Sequence, residues 1–152
     1  MTSEPKYKFH APVKVRFNET DLQGHVNFAQ YYFYFDVAVT EYMDAIGYGY
    51  QSMLADNTDF LYAESHCNNK SSAKWPEILD IHARISYIKR RSLRFDFAVW
   101  AQTGRRLIAT GHIVAVTADR QTFTPHAVPE GLRRAVLAYE GELLALDSAQ
   151  QS

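Results

Sequence analysis

The chain has 152 residues and a formal net charge of −1, with one cysteine, Cys67. That length fits one domain, and near-zero charge gives no field to recruit nucleic acid or an acidic membrane surface. A single thiol excludes an internal disulfide framework and a cysteine-based zinc site.

Hydrophobic residues make up 47% and aromatic residues 14%, with ten Tyr and nine Phe. This aromatic share favours strands and large apolar surfaces. There is no uncharged run of 18 residues, and the start, MTSEPKYKFH, has no apolar signal core. The expectation is a single cytoplasmic domain over residues 1–152, core about 7–140, with no membrane contact.

Residues 1–5 read as a polar lead-in. Val13-Lys14-Val15-Arg16-Phe17 alternates apolar and charged residues, which predicts a half-buried strand over about 8–17. Asn18, Glu19 and Thr20 end it. Asp21-Leu22-Gln23-Gly24-His25-Val26-Asn27 is short and polar, a turn that delivers the chain to a helix.

That helix is expected over 28–46. Tyr31-Tyr32-Phe33-Tyr34-Phe35 has strand propensity, but strands rarely approach twenty residues. Gln30, Asp36, Thr40, Glu41 and Asp44 fall within roughly 140° of a helical wheel at ~100° per residue, and no period-2 pattern collects them. Phe33 and Val37 interrupt even that polar sector, so the helix reads as buried and surrounded. Asn27 suits its N-cap and Gly47 its C-terminal stop.

A loop follows, with a short helix over 51–56 and a weak strand signal over 60–65. Residues 78–88 alternate clearly: Leu79, Ile81, Ala83, Ile85 and Tyr87 against Asp80, His82, Arg84 and Ser86. Lys89-Arg90-Arg91 forms a basic connection. Leu93, Phe95, Phe97 and Val99 alternate again, and Thr103-Gly104 marks a turn. Residues 107–118 are apolar on both faces, as in a central strand. Pro129 opens a terminal helix to about 139, and the last ten residues read as a frayed tail. Strands two to five read as a meander, hence antiparallel. The fold class is α+β, one long helix against a strongly curved sheet.

The sequence contains no H-E-x-x-H, G-x-S-x-G or Walker A motif. The pattern that remains is Asp21-x-x-Gly24-His25-Val26-Asn27-x-Ala29-x-Tyr31. On residues alone, Asp21 reads as a turn or capping carboxylate. With Val-Arg-Phe before it and a long aromatic helix after it, the stretch resembles the hotdog-fold acyl-CoA thioesterases of the 4-hydroxybenzoyl-CoA thioesterase type. Ser92-Leu93-Arg94-Phe95 after the basic turn, Ala109-Thr110-Gly111 and Pro129-Glu130 extend the likeness over about residues 13–138.

The resemblance implies a hotdog fold: about five curved antiparallel strands wrapped around one central helix, plus a short C-terminal helix. It also implies homodimers or homotetramers with active sites at the subunit interface, and an acyl-CoA or acyl carrier protein thioester as substrate. No metal or redox cofactor is expected, coenzyme A being part of the substrate. Asp21 would be the catalytic carboxylate, nucleophile or general base, with His25 and Asn27 beside it. Phe28, Ala29, Tyr31 and Ser92 would contact substrate, and Lys89, Arg90 and Arg91 would bind the coenzyme A phosphates. Gly24 would supply φ > 0 or a close approach of backbone to substrate.

A thiolate whose parent thiol has a pKa of roughly 8.5 leaves with little protonation. One carboxylate and an oxyanion site at backbone N–H groups around 27–29 can therefore suffice. Other roles stay open: loop bonding for His25, capping for Asn27, packing behind the site for Tyr31, and a solvated hairpin tip for 89–91. Glu64 is a possible second carboxylate without a spacing argument. Some family members read D-x-x-G-V-V-x-H, with His where this chain has Phe28. Two other functions remain: a non-catalytic acyl-CoA-binding hotdog protein, and a hotdog dehydratase of 3-hydroxyacyl thioesters using His25.

Overall fold

In the computed structural model, residues 7–141 are described. The lead-in and the expected tail from 143 onward lie outside them. Five strands form one antiparallel sheet: β1 (Phe9–Lys14), β2 (Thr58–Asn69), β3 (Ile78–Ile88), β4 (Ser92–Ala101) and β5 (Arg106–Asp119). Three α-helices accompany them: α1 (Gln30–Ala45), α2 (Tyr50–Ala55) and α3 (Glu130–Glu140).

The alternation that predicts β3 and β4 is the alternation that buries them, except past Ile85. There a bulge turns Ser86 and Ile88 inward and leaves Tyr87, expected on the buried face, only half-buried. Leu79, Ile81, Ala83 and Ile85 on β3, and Leu93, Phe95, Phe97 and Val99 on β4, are fully or almost fully buried under α1. The sheet order is β1-β3-β4-β5-β2. Only β3, β4 and β5 form a meander. The expected continuation from β2 to β3 is wrong, because β2 pairs with β5 at the far edge. The link over 70–77 instead crosses the open end of the sheet, where Lys70 and Ser71 N–H both donate to the Ile108 carbonyl. β2 is also longer than its signal: Tyr62 through His66 are all exposed, so no inward-outward alternation marks an edge strand with little covering it.

Helix α1 lies on the concave face. Its buried side chains are Tyr31, Tyr34, Phe35, Ala38, Val39, Tyr42 and Met43; burying Phe35, Val39 and Met43 is worth roughly 1.5–3 kcal/mol each. The expectation that it is surrounded fails within one chain: Phe33 is 64% exposed and Val37 43%. The sheet curls around one side of the helix only.

Close approach depends on Gly111 in β5. A Cβ there would sit 2.7 Å from the Phe35 ring and 2.5 Å from the His66 carbonyl oxygen. Phe35 is itself stacked on Phe97, centroids 4.4 Å apart and planes 9° apart. At the other end of α1, the buried Glu140 of α3 accepts hydrogen bonds from Tyr42 OH and from Ile85 N–H, beside a bulge in β3. Burial pushes the Glu140 carboxyl above its usual range.

Neither the His66 backbone nor the wedged Phe35 can give way cheaply, so Gly111→Ala should destabilise the fold by about 1–3 kcal/mol through overpacking. Thermal denaturation should show a melting temperature lowered by several degrees; an unchanged value would mean that the helix does not bear on this strand.

Candidate active site

Strand β1 ends earlier than expected because Phe17–Glu19 forms a 3-10 turn. The chain then closes a small loop from Asp21 to the start of α1. Thr20 and Val26 form a bridge, and His25 bridges Lys74 on the crossing link. Val26 N–H donates to the Ala73 carbonyl at 2.8 Å, which fastens the loop to that link. Gly24 adopts φ +80°, the left-handed region where a side chain would be strained. The φ > 0 expected of Gly24 is thus present.

Asp21 is exposed, and its carboxylate organises the loop. Oδ1 accepts the backbone N–H of Gln23 at 2.9 Å and that of His25 at 3.3 Å. Asp21 N–H donates to the His25 carbonyl, and the Asp21 carbonyl accepts from Gly24 N–H. The turn role read from the residues is therefore real, and it uses only one carboxylate oxygen. Among the described residues Oδ2 has no partner.

Asn27 also has a local role. Its Oδ1 accepts Ala29 N–H at 3.0 Å and its carbonyl accepts Gln30 N–H at 2.8 Å, so one turn precedes α1 proper. The helix thus starts at Gln30 rather than 28. Asn27 N–H is engaged with the Glu19 carbonyl and Ala29 N–H with Asn27 Oδ1. Between them, Phe28 N–H makes no hydrogen bond among the described residues. Phe28 itself is 72% exposed. Tyr31 is buried edge-to-face against Tyr34, and burial pushes its phenol up to about 12, so it remains neutral.

The structure does not bring the basic hairpin to this loop. Lys89, Arg90 and Arg91 join β3 to β4 at the end of the sheet opposite Asp21. The Asp21 loop sits at the β3 start, where Val15 N–H donates to the Glu77 carbonyl. β3 has eleven residues, and at ~3.3 Å per residue its ends lie about 33 Å apart. The hairpin backbone is held by Arg133 Nη2, which donates to the Lys89 and Arg90 carbonyls at 2.6 and 3.2 Å. The side chains of Arg90 and Arg91 are exposed, while Ser92 opens β4 half-buried. Glu64 stands on edge strand β2, with Oε1 3.6 Å from His112 Nε2, and does not pair with Asp21.

The carboxylate that sequence reading passed over is Glu19, assigned there only to the end of a strand. Its side chain accepts the Arg16 N–H, the Tyr34 hydroxyl and the Gln30 amide. The available signal was an acid three residues after Arg16, the capping-box spacing, hidden because Arg is not an N-cap type. Glu19 and Tyr34 line a cavity of about 630 Å³ between β1 and α1, rimmed by Phe17, Phe33 and Trp75. A second cavity of about 320 Å³ lies between α1, α2 and β2. Asp21 lines neither.

One long helix on a sheet of this order, with a carboxylate loop at the helix start, is the hotdog arrangement. The chain belongs to the thioesterase-like superfamily, whose family model matches residues 15–136. It is 23% identical over 124 residues to the acyl-CoA thioester hydrolase YbgC of Escherichia coli, covering 82% of this chain and 92% of that one. The acyl-CoA thioesterase YbgC of Haemophilus influenzae is 26% identical over 128 residues, covering 84% and 93%. The DHNA-CoA thioesterase structure from Staphylococcus aureus superposes with a TM-score of 0.78 at 20% identity, covering 88% of this chain and 94% of that one. Among the described residues, no helix is long and apolar enough to cross a membrane.

Proposed function

We propose that the protein hydrolyses an acyl-CoA thioester to a carboxylic acid and coenzyme A, with Asp21 as the reacting carboxylate. The observation that carries this reading is the division of labour in the loop. Among the described residues Asp21 Oδ1 is fixed by two backbone N–H groups, while Oδ2 and the N–H of Phe28, at the end of the same loop, are unengaged. A carboxylate oxygen and an oxyanion donor are the two groups that thioester hydrolysis needs.

The thioester carbonyl oxygen would accept from Phe28 N–H, assisted by the positive end of α1. Asp21 Oδ2 then either attacks the carbonyl carbon or takes a proton from an attacking water. In both routes the C–S bond breaks and the sulfur leaves as thiolate, which takes up a proton. In the first, water then hydrolyses the acyl–Asp21 anhydride to the acid and free Asp21. In the second, the attacking water itself becomes the acid's new hydroxyl and Asp21 gives up the proton it took. His25, four residues on, would orient the water or the carbonyl. Asn27 would hold Ala29 and Gln30 so that Phe28 N–H stays free.

Two features support assembly of copies into at least a dimer, with homotetramers as the larger form. Edge strand β2 carries a run of exposed residues and, among the described residues, has one neighbour only, an arrangement suited to pairing with another strand. In addition, Asp21 and the basic hairpin of one chain stand too far apart to share a substrate, so each Asp21 would use the Lys89, Arg90 and Arg91 of a second subunit to hold coenzyme A phosphates. An acyl carrier protein thioester is the related alternative substrate.

A thiol-release assay over aliphatic and aromatic acyl-CoAs tests the reaction. Asp21→Asn should lower kcat by about 100-fold or more while remaining folded. Full turnover in that variant would remove Asp21 from the chemistry; tight acyl-CoA binding by the wild type with no thiol release would make the protein a binder instead. Charge reversal at Arg90 and Arg91 should raise KM for a coenzyme A thioester by roughly tenfold and leave kcat nearly unchanged. KM for the matching pantetheine thioester, which lacks those phosphates, should not move. An equal rise for both would exclude phosphate binding.

A further inference from the structure

Glu19 is half-buried beneath the start of α1, two residues before Asp21. Its Oε1 accepts the backbone N–H of Arg16 at 2.8 Å and the hydroxyl of Tyr34 at 2.9 Å. Its Oε2 accepts the side-chain amide of Gln30 at 3.3 Å. Its own N–H donates to the Arg16 carbonyl, and its carbonyl accepts from Asn27 N–H at 2.9 Å. These partners come from both sides of the Asp21 loop: Arg16 from the chain entering it, and Asn27, Gln30 and Tyr34 from the chain leaving it. Gln30 and Tyr34 are four residues apart on α1, one above the other, so a single carboxylate reaches both.

Tyr34 is 2% exposed. Burial, and then the Glu19 carboxylate beside it, push its phenol far above the usual range, so it stays a hydrogen-bond donor. The loop between these anchors is closed by the Thr20–Val26 bridge. Among the described residues it is also tied to the 70–77 link, by the contacts of His25 and Val26 and by Phe17 against Trp75.

We infer that Glu19 is a positioning residue: it holds the start of α1, and with it the free Phe28 N–H, at a set distance from Asp21. This rests on Asp21 being the reacting carboxylate. Both oxygens of Glu19 are already engaged, which fits a brace rather than a group that meets substrate. Catalysis is sensitive to such a brace, because a displacement of about 1 Å between a reacting group and its oxyanion donor can cost on the order of 100-fold in rate.

The test compares Glu19→Ala with Glu19→Gln in the full chain. The glutamine carbonyl can still accept from Arg16 N–H and Tyr34 OH, and the Gln30 amide can turn to accept from the new NH2. Glu19→Ala should lower kcat at least about tenfold with KM changed less than about threefold, and Glu19→Gln should stay within about threefold of wild type. Amide hydrogen exchange over residues 23–30 should speed up in the alanine variant and not in the glutamine variant, with β3 and β4 unchanged. Tyr34→Phe deletes one side-chain bond and covers the case in which the alanine variant does not fold; it should show a smaller loss of kcat in the same sense.

The inference is overturned if Glu19→Ala, or Tyr34→Phe in its place, leaves both kcat and exchange unchanged. It is equally overturned if Glu19→Gln loses as much rate as Glu19→Ala, since the carboxylate charge or proton would then be what matters. Retained turnover in Asp21→Asn would sink the catalytic reading alone. The exchange pattern would still decide whether Glu19 braces the loop.

Discussion

The ring of Phe35 lies where a side chain on residue 111 of β5 would otherwise be. That contact sets how deeply α1 sinks into the sheet, and much else follows from the depth. Phe35 stacks on Phe97 of β4, and Tyr42, two turns further on, meets Phe95 edge-to-face. With the helix at that height, its start falls beside the 70–77 link, where Val26 can reach the Ala73 carbonyl. The Asp21 loop is thus held between a helix fixed by ring packing and a link fixed to β5 by the Ile108 carbonyl. Interiors packed this closely do not deform smoothly, so the loop inherits the rigidity of the core although Asp21 itself is exposed.

The same depth leaves one flank of α1 open. Phe33 and Val37 face outward beside a cavity whose floor carries Glu19 and Tyr34. On the proposed reading a single chain then holds one half of a reaction centre, the Asp21 carboxylate and an oxyanion donor, with the basic 89–91 hairpin at the other end of the sheet. The proposed dimer resolves this by letting the hairpin of one subunit serve the loop of the other. Arg133 then acquires a reason beyond stability: by donating to the Lys89 and Arg90 carbonyls it fixes the hairpin backbone from which those side chains extend.

Where a residue's surroundings repeat with a simple period, the sequence was easy to read. β3 and β4 alternate because one face packs on α1 and the other meets solvent, and the expected bounds of β3 coincide with the observed ones. α3 was readable from Pro129 at its start. β2 was half hidden, since its exposed run from Tyr62 to His66 has no apolar face to alternate with, and its partner could not be read from local pattern at all. Pairing β2 with β5 rather than β3 is a long-range choice. The helix wheel correctly made α1 helical, but it took apolar character for coverage; Phe33 and Val37 are apolar and exposed. At the site, Gly24 was legible because its backbone needs φ > 0. The separation of Asp21 from Arg90 and Arg91 was not, because motif spacing along a chain carries no information about which end of a sheet each motif occupies. Glu19 was missed because its partners, Gln30 and Tyr34, are more than ten residues away.

The proposed site requires one catalytic centre to be built from two chains. Mixed oligomers test this most directly: Asp21→Asn subunits, inactive on their own, are combined by refolding with subunits carrying charge reversals at Arg90 and Arg91, assayed at a coenzyme A thioester concentration well below KM. In each hybrid dimer one site would pair an intact Asp21 with an intact hairpin, so thiol release should rise clearly above that of either parent. If the mixture shows only the average of its parents while hybrid formation is confirmed by native mass spectrometry, the loop and the hairpin do not meet across subunits, and the proposed architecture of the site is wrong.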